Sequence, residues 1–215
     1  MLTYLLLYQL PLIHLYFEFK KNKKIFNEVL KIYFLFLIIF IGLRYEVGGD
    51  FYSTSYSMLP LYNFKDIFTN TSILNSALLY ISKNSFMDVF FYNLTASIIL
   101  VTFLYKFTKQ FEYKTQIYFI SFPVIIIIMS MGFTKQSIGF GFILFGLTLY
   151  QREKFIASIL VFFVALLFHI SSIIIFVIYI YKINYLFKRS YFILILILFS
   201  ILFYNYSHLI YNYIE

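Results

Sequence analysis

Long apolar runs dominate the chain, and its polar positions are gathered in the stretches between them. A run of about 20 apolar residues is long enough to cross the hydrocarbon core of a bilayer as a helix. The pattern predicts such segments at residues 2–19, 29–43, 88–107, 115–133, 136–150, 155–168, 171–187 and 191–210. We therefore expect an all-α integral membrane protein with about eight transmembrane helices, in which residues 1–215 form a single polytopic membrane domain.

The Lys and Arg residues between these runs assign the sides of the membrane. Basic residues near helix ends are retained in the cytoplasm, and the basic clusters fall in alternate connections, which places the N-terminus outside. The first run lacks a basic leader and a small-residue cleavage site, so we expect a retained helix and not a signal peptide. Residues 44–87 then form one long outer loop. Of the 17 Lys and Arg residues, only Arg44, Lys65, Lys83 and Lys135 lie on the outer side.

Composition narrows the class of protein further. The chain is 62% hydrophobic and 12% charged, whereas an ordinary soluble domain is about 45–50% apolar and about 25% charged. The absence of cysteine excludes disulfides, thiolate metal sites and a cysteine nucleophile. The net charge of +8 is explained by the loop asymmetry, so we expect membrane lipids as partners and no nucleic acid.

The most informative stretch is residues 42–52, where the second helix leaves the membrane. Arg44 can present a planar fork to phosphate or carboxylate oxygens, although lipid anchoring is the alternative interpretation. Gly48 and Gly49 permit a sharp turn and a close approach of a ligand to the backbone. Asp50 then supplies a carboxylate at the membrane surface; a plain turn is the alternative.

Two further polar stretches lie on the same predicted outer side. Lys135 and Gln136 begin the fifth segment, where a cation and an amide can contact an anionic headgroup or simply anchor the helix end. His169 and Ser171 lie at the tip of a predicted hairpin, where an imidazole can accept a proton. No spacing typical of a serine hydrolase or a metal site is present, so we expect no metal and no cofactor.

The order of these stretches resembles the EpsG-type family of bacterial polysaccharide polymerases, which are related to the Wzy polymerases of O-antigen and capsule. Members show Arg-Tyr followed by Gly and an acidic residue after the second helix, Arg-Gln before a helix with small residues, and a His-Ser pair after a later span. Here Lys135 stands where the family has Arg. The corresponding residues are Arg44, Tyr45, Gly48, Gly49, Asp50, Lys135, Gln136, His169 and Ser171.

The resemblance implies transfer of a glycan from undecaprenyl diphosphate to a second lipid-linked repeat unit, on the outer face of the bacterial inner membrane. Arg44 and Lys135 would bind the diphosphate, and Asp50 would be the base, with Glu46 and His169 as rivals. Tyr45, Tyr52, Gln136 and Ser171 would contact the substrate, although an aromatic belt at the interface is the alternative for the tyrosines. A chain-length regulator and a flippase are the expected partners.

Two other functions are compatible with the sequence. The same cations would suit a flippase or transport subunit for lipid-linked oligosaccharides, although a translocation path should place more charged residues inside the spans. A non-catalytic, truncated remnant of a polysaccharide locus is the other alternative, because family members usually continue through more helices than are found here.

Overall fold

The computed structural model describes Gln9, residues 23–69 and residues 72–175. By its internal contacts the chain divides after Ser172, into a first unit Met1–Ser172 and a second unit Ile173–Glu215. The predicted segments 2–19 (apart from Gln9), 176–187 and 191–210 lie outside the described residues.

Every regular element of the described residues is helical. The α-helices are α1 Lys23–Gly42, α2 Asp50–Met58, α3 Ile73–Lys83, α4 Val89–Thr108, α5 Lys114–Ser121, α6 Thr134–Gln151 and α7 Phe155–Phe168. Between α2 and α3 lies a 3-10 helix, Phe64–Thr69, and α5 continues into a π-helix, Phe122–Gly132. A second 3-10 helix, Ile170–Ile173, follows α7.

The helices follow the apolar runs of the sequence. The run at residues 155–168 is the helix Phe155–Phe168 itself, and the run at 88–107 is the helix Val89–Thr108 within one residue at each end. By length and composition, Val89–Thr108 and Lys114–Gly132 are able to cross a membrane. The all-helical part of the prediction is therefore confirmed for the described residues, while the number of eight spans stays a prediction.

Residues 44–87, predicted as one long outer loop, contain α2, a 3-10 helix and α3. Their position outside the membrane stays a prediction. They fold because their apolar side chains Phe51, Met58, Leu61 and Leu79 are buried against residues of α4, α6 and α7. Burial of such side chains stabilises a helix that its own propensity would not maintain.

Helices α4 and α6 run side by side in the same direction, since Gly141 lies against Leu100 and, further along both helices, Phe145 lies against Phe103. The rings of Phe103 and Phe145 stack with centroids 4.5 Å apart, and the rings of Phe103 and Phe142 lie 5.3 Å apart. The starts of both helices, Val89 and Thr134, therefore lie at one end, and their basic ends lie at the other. Lys106 extends over the Phe145 ring at that basic end. The predicted outer and inner loops are thus separated by the length of these helices.

Candidate functional site

Arg44 is held inside the protein where α1 ends. Its side chain is only 5% exposed, and its guanidinium donates hydrogen bonds to the Ser130 carbonyl and to the Thr134 hydroxyl. It also donates to Asn93 Oδ1 at 3.4 Å. Charged hydrogen bonds of this kind are stronger than neutral ones. Arg44 therefore joins the end of α1 to α4 and to the junction between the π-helix and α6.

Gly48 makes the turn that follows Arg44. Its φ of +96° is a conformation that side chains rarely adopt, and a Cβ there would lie 1.6 Å from the Met131 carbonyl oxygen. The turn therefore packs directly on the end of the π-helix. It leads through Gly49 into α2, which begins at Asp50.

Thr134 connects Asp50 to Arg44. The backbone N–H of Thr134, which begins α6, is close enough to the Asp50 carboxylate to favour its ionised form, while the Thr134 hydroxyl accepts from Arg44. The first N–H groups of a helix have no partner within the helix. The Asp50 carboxylate therefore lies near the start of α6, where the helix dipole favours negative charge.

The proton affinity of Asp50 is set by opposing effects. Burial raises the pKa of its carboxyl above the ordinary 3.8, while the Thr134 N–H and the charges of Arg44, His169 and Lys135 act in the other direction. Desolvation is the larger effect. Asp50 is therefore a more basic carboxylate than one on the surface, and a better acceptor for a proton near neutral pH.

His169 and Lys135 complete this group. The pKa of His169 is lowered below 6.5 by burial and by the Lys135 charge, and Asp50 opposes the shift. His169 reaches the group because Gly139 lies against it: a Cβ on Gly139 would be 3.4 Å from His169 Cβ and 2.7 Å from Ser172 Oγ. We call Arg44, Asp50, Thr134, Lys135 and His169 the Asp50 cluster.

A second group lies outside the Asp50 cluster. Tyr45 and Tyr52 are exposed and flank Glu46, which has a positive φ of 51°. The pKa of the Tyr45 hydroxyl is raised because that hydroxyl donates a hydrogen bond to Glu46. Burial and the Glu46 carboxylate raise the pKa of Tyr52 in the same direction. The charges that act on Asp50 are those of Arg44, His169 and Lys135, whereas Glu46 acts on the two tyrosines.

The structure therefore brings together residues from three separate predicted stretches. Asp50, Lys135 and His169 converge with Arg44, and Gly48 provides the turn that brings Asp50 there. Gln136 is half-buried beside them in the first turn of α6. Gly49 and Ser171 are exposed. It is Ser172, and not Ser171, that is buried against Gly139.

Sequence reasoning missed the residues that hold Arg44. Asn93 is 2% exposed, Ser130 is 2% exposed and Thr134 is 1% exposed. The available signal was the presence of Asn93 and Ser130 within apolar runs, because polar side chains inside a predicted span usually have a partner there. The identity of that partner required the fold.

The chemistry offered by the Asp50 cluster is proton transfer beside positive charge. A desolvated carboxylate can accept a proton, a neutral imidazole stands near it, and the Lys135 charge can stabilise a leaving anion. Within residues 23–69 and 72–175, no group of three His, Asp or Glu side chains is placed to hold a metal ion.

In the part of the chain that the structure describes, apolar helices able to cross a membrane carry a charged cluster at one end. The EpsG family model matches residues 28–215. The chain therefore belongs to the EpsG family, in agreement with the expectation of an EpsG-type polysaccharide polymerase. No curated protein and no solved structure matches the chain.

Proposed function

We propose that the protein is a membrane polymerase of lipid-linked oligosaccharides. It transfers a growing glycan from undecaprenyl diphosphate to the sugar of a second lipid-linked repeat unit, on the outer face of the bacterial inner membrane. The product is an exopolysaccharide, a capsule or an O-antigen. Family membership supports polysaccharide synthesis, and the Asp50 cluster supports the transfer step.

The observation that carries this proposal is the carboxylate of Asp50 beside Lys135. Burial raises the pKa of Asp50, and Lys135 lies close enough for its charge to act on that carboxyl. Glycan transfer from a diphosphate requires a base for the acceptor hydroxyl and a cation for the leaving group. The cluster offers both within one end of the helices.

The reaction then proceeds as one displacement. Asp50 takes the proton of the acceptor hydroxyl, whose oxygen forms a bond to the anomeric carbon of the donor sugar. The bond from that carbon to the phosphate oxygen breaks, and undecaprenyl diphosphate leaves with the electron pair. Lys135 stabilises its negative charge.

Arg44 acts indirectly in this mechanism. Its guanidinium is engaged by Ser130, Thr134 and Asn93 and is 5% exposed, so it is a positioning residue. Through its hydrogen bond to Thr134 it positions the N–H that acts on the Asp50 carboxyl, and its own charge favours the ionised carboxylate. His169 and Glu46 remain the rival bases, of which His169 lies within the cluster.

The proposed membrane arrangement has eight spans with the N-terminus outside. It is supported by the separation of the Asp50 cluster from Lys106, which extends over the Phe145 ring at the basic end of α4 and α6. The proposed partners are the lipid-linked repeat units, a flippase that delivers them and a regulator of chain length.

The test is a gene deletion complemented with variants and read as the length ladder of surface polysaccharide. We expect the deletion to leave single repeat units and wild type to restore the ladder, whereas Asp50→Asn and Lys135→Gln do not. Asp88→Asn and Lys65→Gln are matched controls, because both side chains are exposed in or beside the predicted outer segment. Asp88 has a positive φ of 48°, which Asn tolerates.

Other results would contradict the proposal in different ways. Loss of all surface glycan, with repeat units accumulating inside the cell, would favour the flippase. An unchanged ladder in the deletion strain would favour the non-catalytic remnant. A normal ladder with Asp50→Asn would leave the polymerase possible but remove Asp50 as its base.

A further inference from the structure

Tyr45, Glu46 and Tyr52 form an exposed surface outside the Asp50 cluster. The Tyr45 ring is 63% exposed, yet it is fixed from two sides. It stacks on Phe90 with ring centroids 6.1 Å apart at an interplanar angle of 18°, and it meets the edge of Phe51 at 5.6 Å. Tyr52 also makes an edge contact with Phe51, at 5.6 Å. Both rings therefore pack on Phe51 while more than half of each side chain stays exposed.

Glu46 adds hydrogen-bonding capacity to this surface. Its carboxylate is close enough to the Tyr45 and Tyr52 hydroxyls to act on both, and an ionised carboxylate has about four acceptor positions on its two oxygens. Acceptor positions therefore remain for further donors. Each tyrosine oxygen can also accept a hydrogen bond.

The chemistry of this surface selects its ligand. A pyranose presents C–H bonds that suit the electron-rich face of an aromatic ring and hydroxyl groups that donate to carboxylates. Anionic phospholipid headgroups are disfavoured, because the negative charge of Glu46 is close and exposed. A hydroxyl-rich, uncharged ligand meets both the rings and the carboxylate.

We propose that Tyr45, Glu46 and Tyr52 form a sugar-binding subsite for the acceptor repeat unit, next to the Asp50 cluster. Glu46 is then a binding carboxylate and Asp50 the base, so the two acidic residues of this stretch have different roles. They are only four positions apart in the chain, which fits a sugar held at one and deprotonated at the other. The assignment of the sugar as acceptor rests on the proposed polymerase function.

The test measures binding of the free sugar separately from polymerisation. The probe is the repeat-unit oligosaccharide released by mild acid from the lipid-linked repeats of the deletion strain. It carries no diphosphate and no lipid. Binding to the purified full chain in detergent is followed by saturation-transfer NMR and by calorimetric titration.

We expect Tyr45→Ala to weaken binding at least about tenfold, because the ring face and the hydroxyl are both lost. Tyr45→Phe keeps the packing on Phe90 and Phe51 and should weaken binding about threefold to tenfold. Glu46→Gln should also weaken it. Tyr113→Ala is the control, since Tyr113 is 59% exposed and follows α4 at the opposite end; its affinity should equal that of wild type.

The outcomes distinguish failure of the proposed sugar-binding subsite from failure of the proposed polymerase function. Equal affinity in wild type and all four variants would overturn the subsite, even if wild type makes a normal ladder. A loss of thermal stability in lipid nanodiscs with Tyr45→Ala, at unchanged sugar affinity, would show an interfacial anchor and would also overturn it. Affinity that depends on Tyr45 and Glu46, in a protein that restores no ladder, would retain a sugar site while the polymerase proposal fails.

Discussion

A buried guanidinium is the centre of the candidate site at the scale of single residues. Sequence reasoning placed Arg44 at a helix exit, where snorkelling and ligand binding were the options. The structure gives it three acceptors on three other helical segments, with Ser130 and Thr134 on either side of the junction between the π-helix and α6 and Asn93 on α4. Its value to the site is therefore the position that it gives to Thr134 and Asp50.

Arg44→Lys should lose both stability and activity. A single ammonium group cannot replace the planar fork that reaches Ser130, Thr134 and Asn93 together, and a buried acceptor left without its donor costs about 1–3 kcal/mol. We expect a melting temperature several degrees lower and at least about tenfold less polymer per molecule of protein.

The control for this variant is Arg152→Lys, because Arg152 is an exposed arginine after α6. Quantified ladders and melting curves of the purified proteins give the comparison. A polymer yield for Arg44→Lys equal to that of Arg152→Lys would show that the fork is not needed.

Lys135→Gln should move the pH dependence of the reaction. The Lys135 charge holds down the pKa of both Asp50 and His169, so its removal raises both. A base is active when deprotonated, and the rate therefore falls as the pH drops through its pKa. The acid limb of kcat/KM should shift to higher pH in the variant, whichever of the two groups is the base.

The measurement is the initial rate of polymerisation in proteoliposomes, with purified lipid-linked repeats, as a function of pH. Lys65→Gln removes a lysine that lies outside the Asp50 cluster and should leave the limb where wild type has it. A lower maximum without movement of the limb would mean that Lys135 acts on the substrate alone.

The sequence indicated the residues of the site but not their convergence. Arg44, Asp50, Lys135 and His169 are charged or titratable groups at the ends of apolar runs, so the sequence indicated each of them. Their convergence required tertiary contacts across 86 positions, as between Arg44 and Ser130. No periodicity encodes such a contact.

At the scale of elements, long apolar helices were predictable and short amphipathic ones were not. Residues 155–168 contain no charged residue, and they form a helix with the same bounds. The helices Asp50–Met58 and Ile73–Lys83 mix polar and apolar residues, and they are stable because Phe51, Met58 and Leu79 find a core. The π-helix has no pattern that separates it from an α-helix, although Pro123 near its start removes one backbone donor.

Gly48→Ala should disrupt the turn between α1 and α2. The new Cβ would overlap the Met131 carbonyl, and the positive φ of Gly48 would be strained with any side chain. We expect a loss of stability of at least about 1–3 kcal/mol and a shortened or absent ladder, since the turn delivers Asp50 to Thr134.

Gly132→Ala is the matched control, because a Cβ on Gly132 meets no atom within 4 Å. Thermal unfolding in detergent and the polysaccharide ladder are the two readouts. If Gly48→Ala matched Gly132→Ala in both, the contact between the turn and the end of the π-helix would not be needed for the site.

At the scale of the whole molecule, the Asp50 cluster and the basic connections lie at opposite ends of the same helices. Val89 and Thr134 begin α4 and α6 near the Asp50 cluster, and both helices end in basic connections. Retention of basic residues in the cytoplasm would then place the cluster on the outer face. A polymerase that uses repeat units already carried across the membrane needs its site on that face.

The absence of cysteine makes this orientation directly measurable. Phe86→Cys and Tyr113→Cys each introduce one thiol into a chain that has none, without altering the charges that direct insertion. The native side chains are 97% and 59% exposed, so both thiols should be accessible. In intact spheroplasts, a membrane-impermeant maleimide should label Phe86→Cys, whereas Tyr113→Cys should be labelled only after permeabilisation.

The reverse pattern would place the Asp50 cluster in the cytoplasm, where the acceptor would have to be a precursor that has not yet been translocated. Labelling of both variants in intact spheroplasts would mean that α4, which lies between these two positions, does not cross the membrane. That result would contradict the eight-span arrangement.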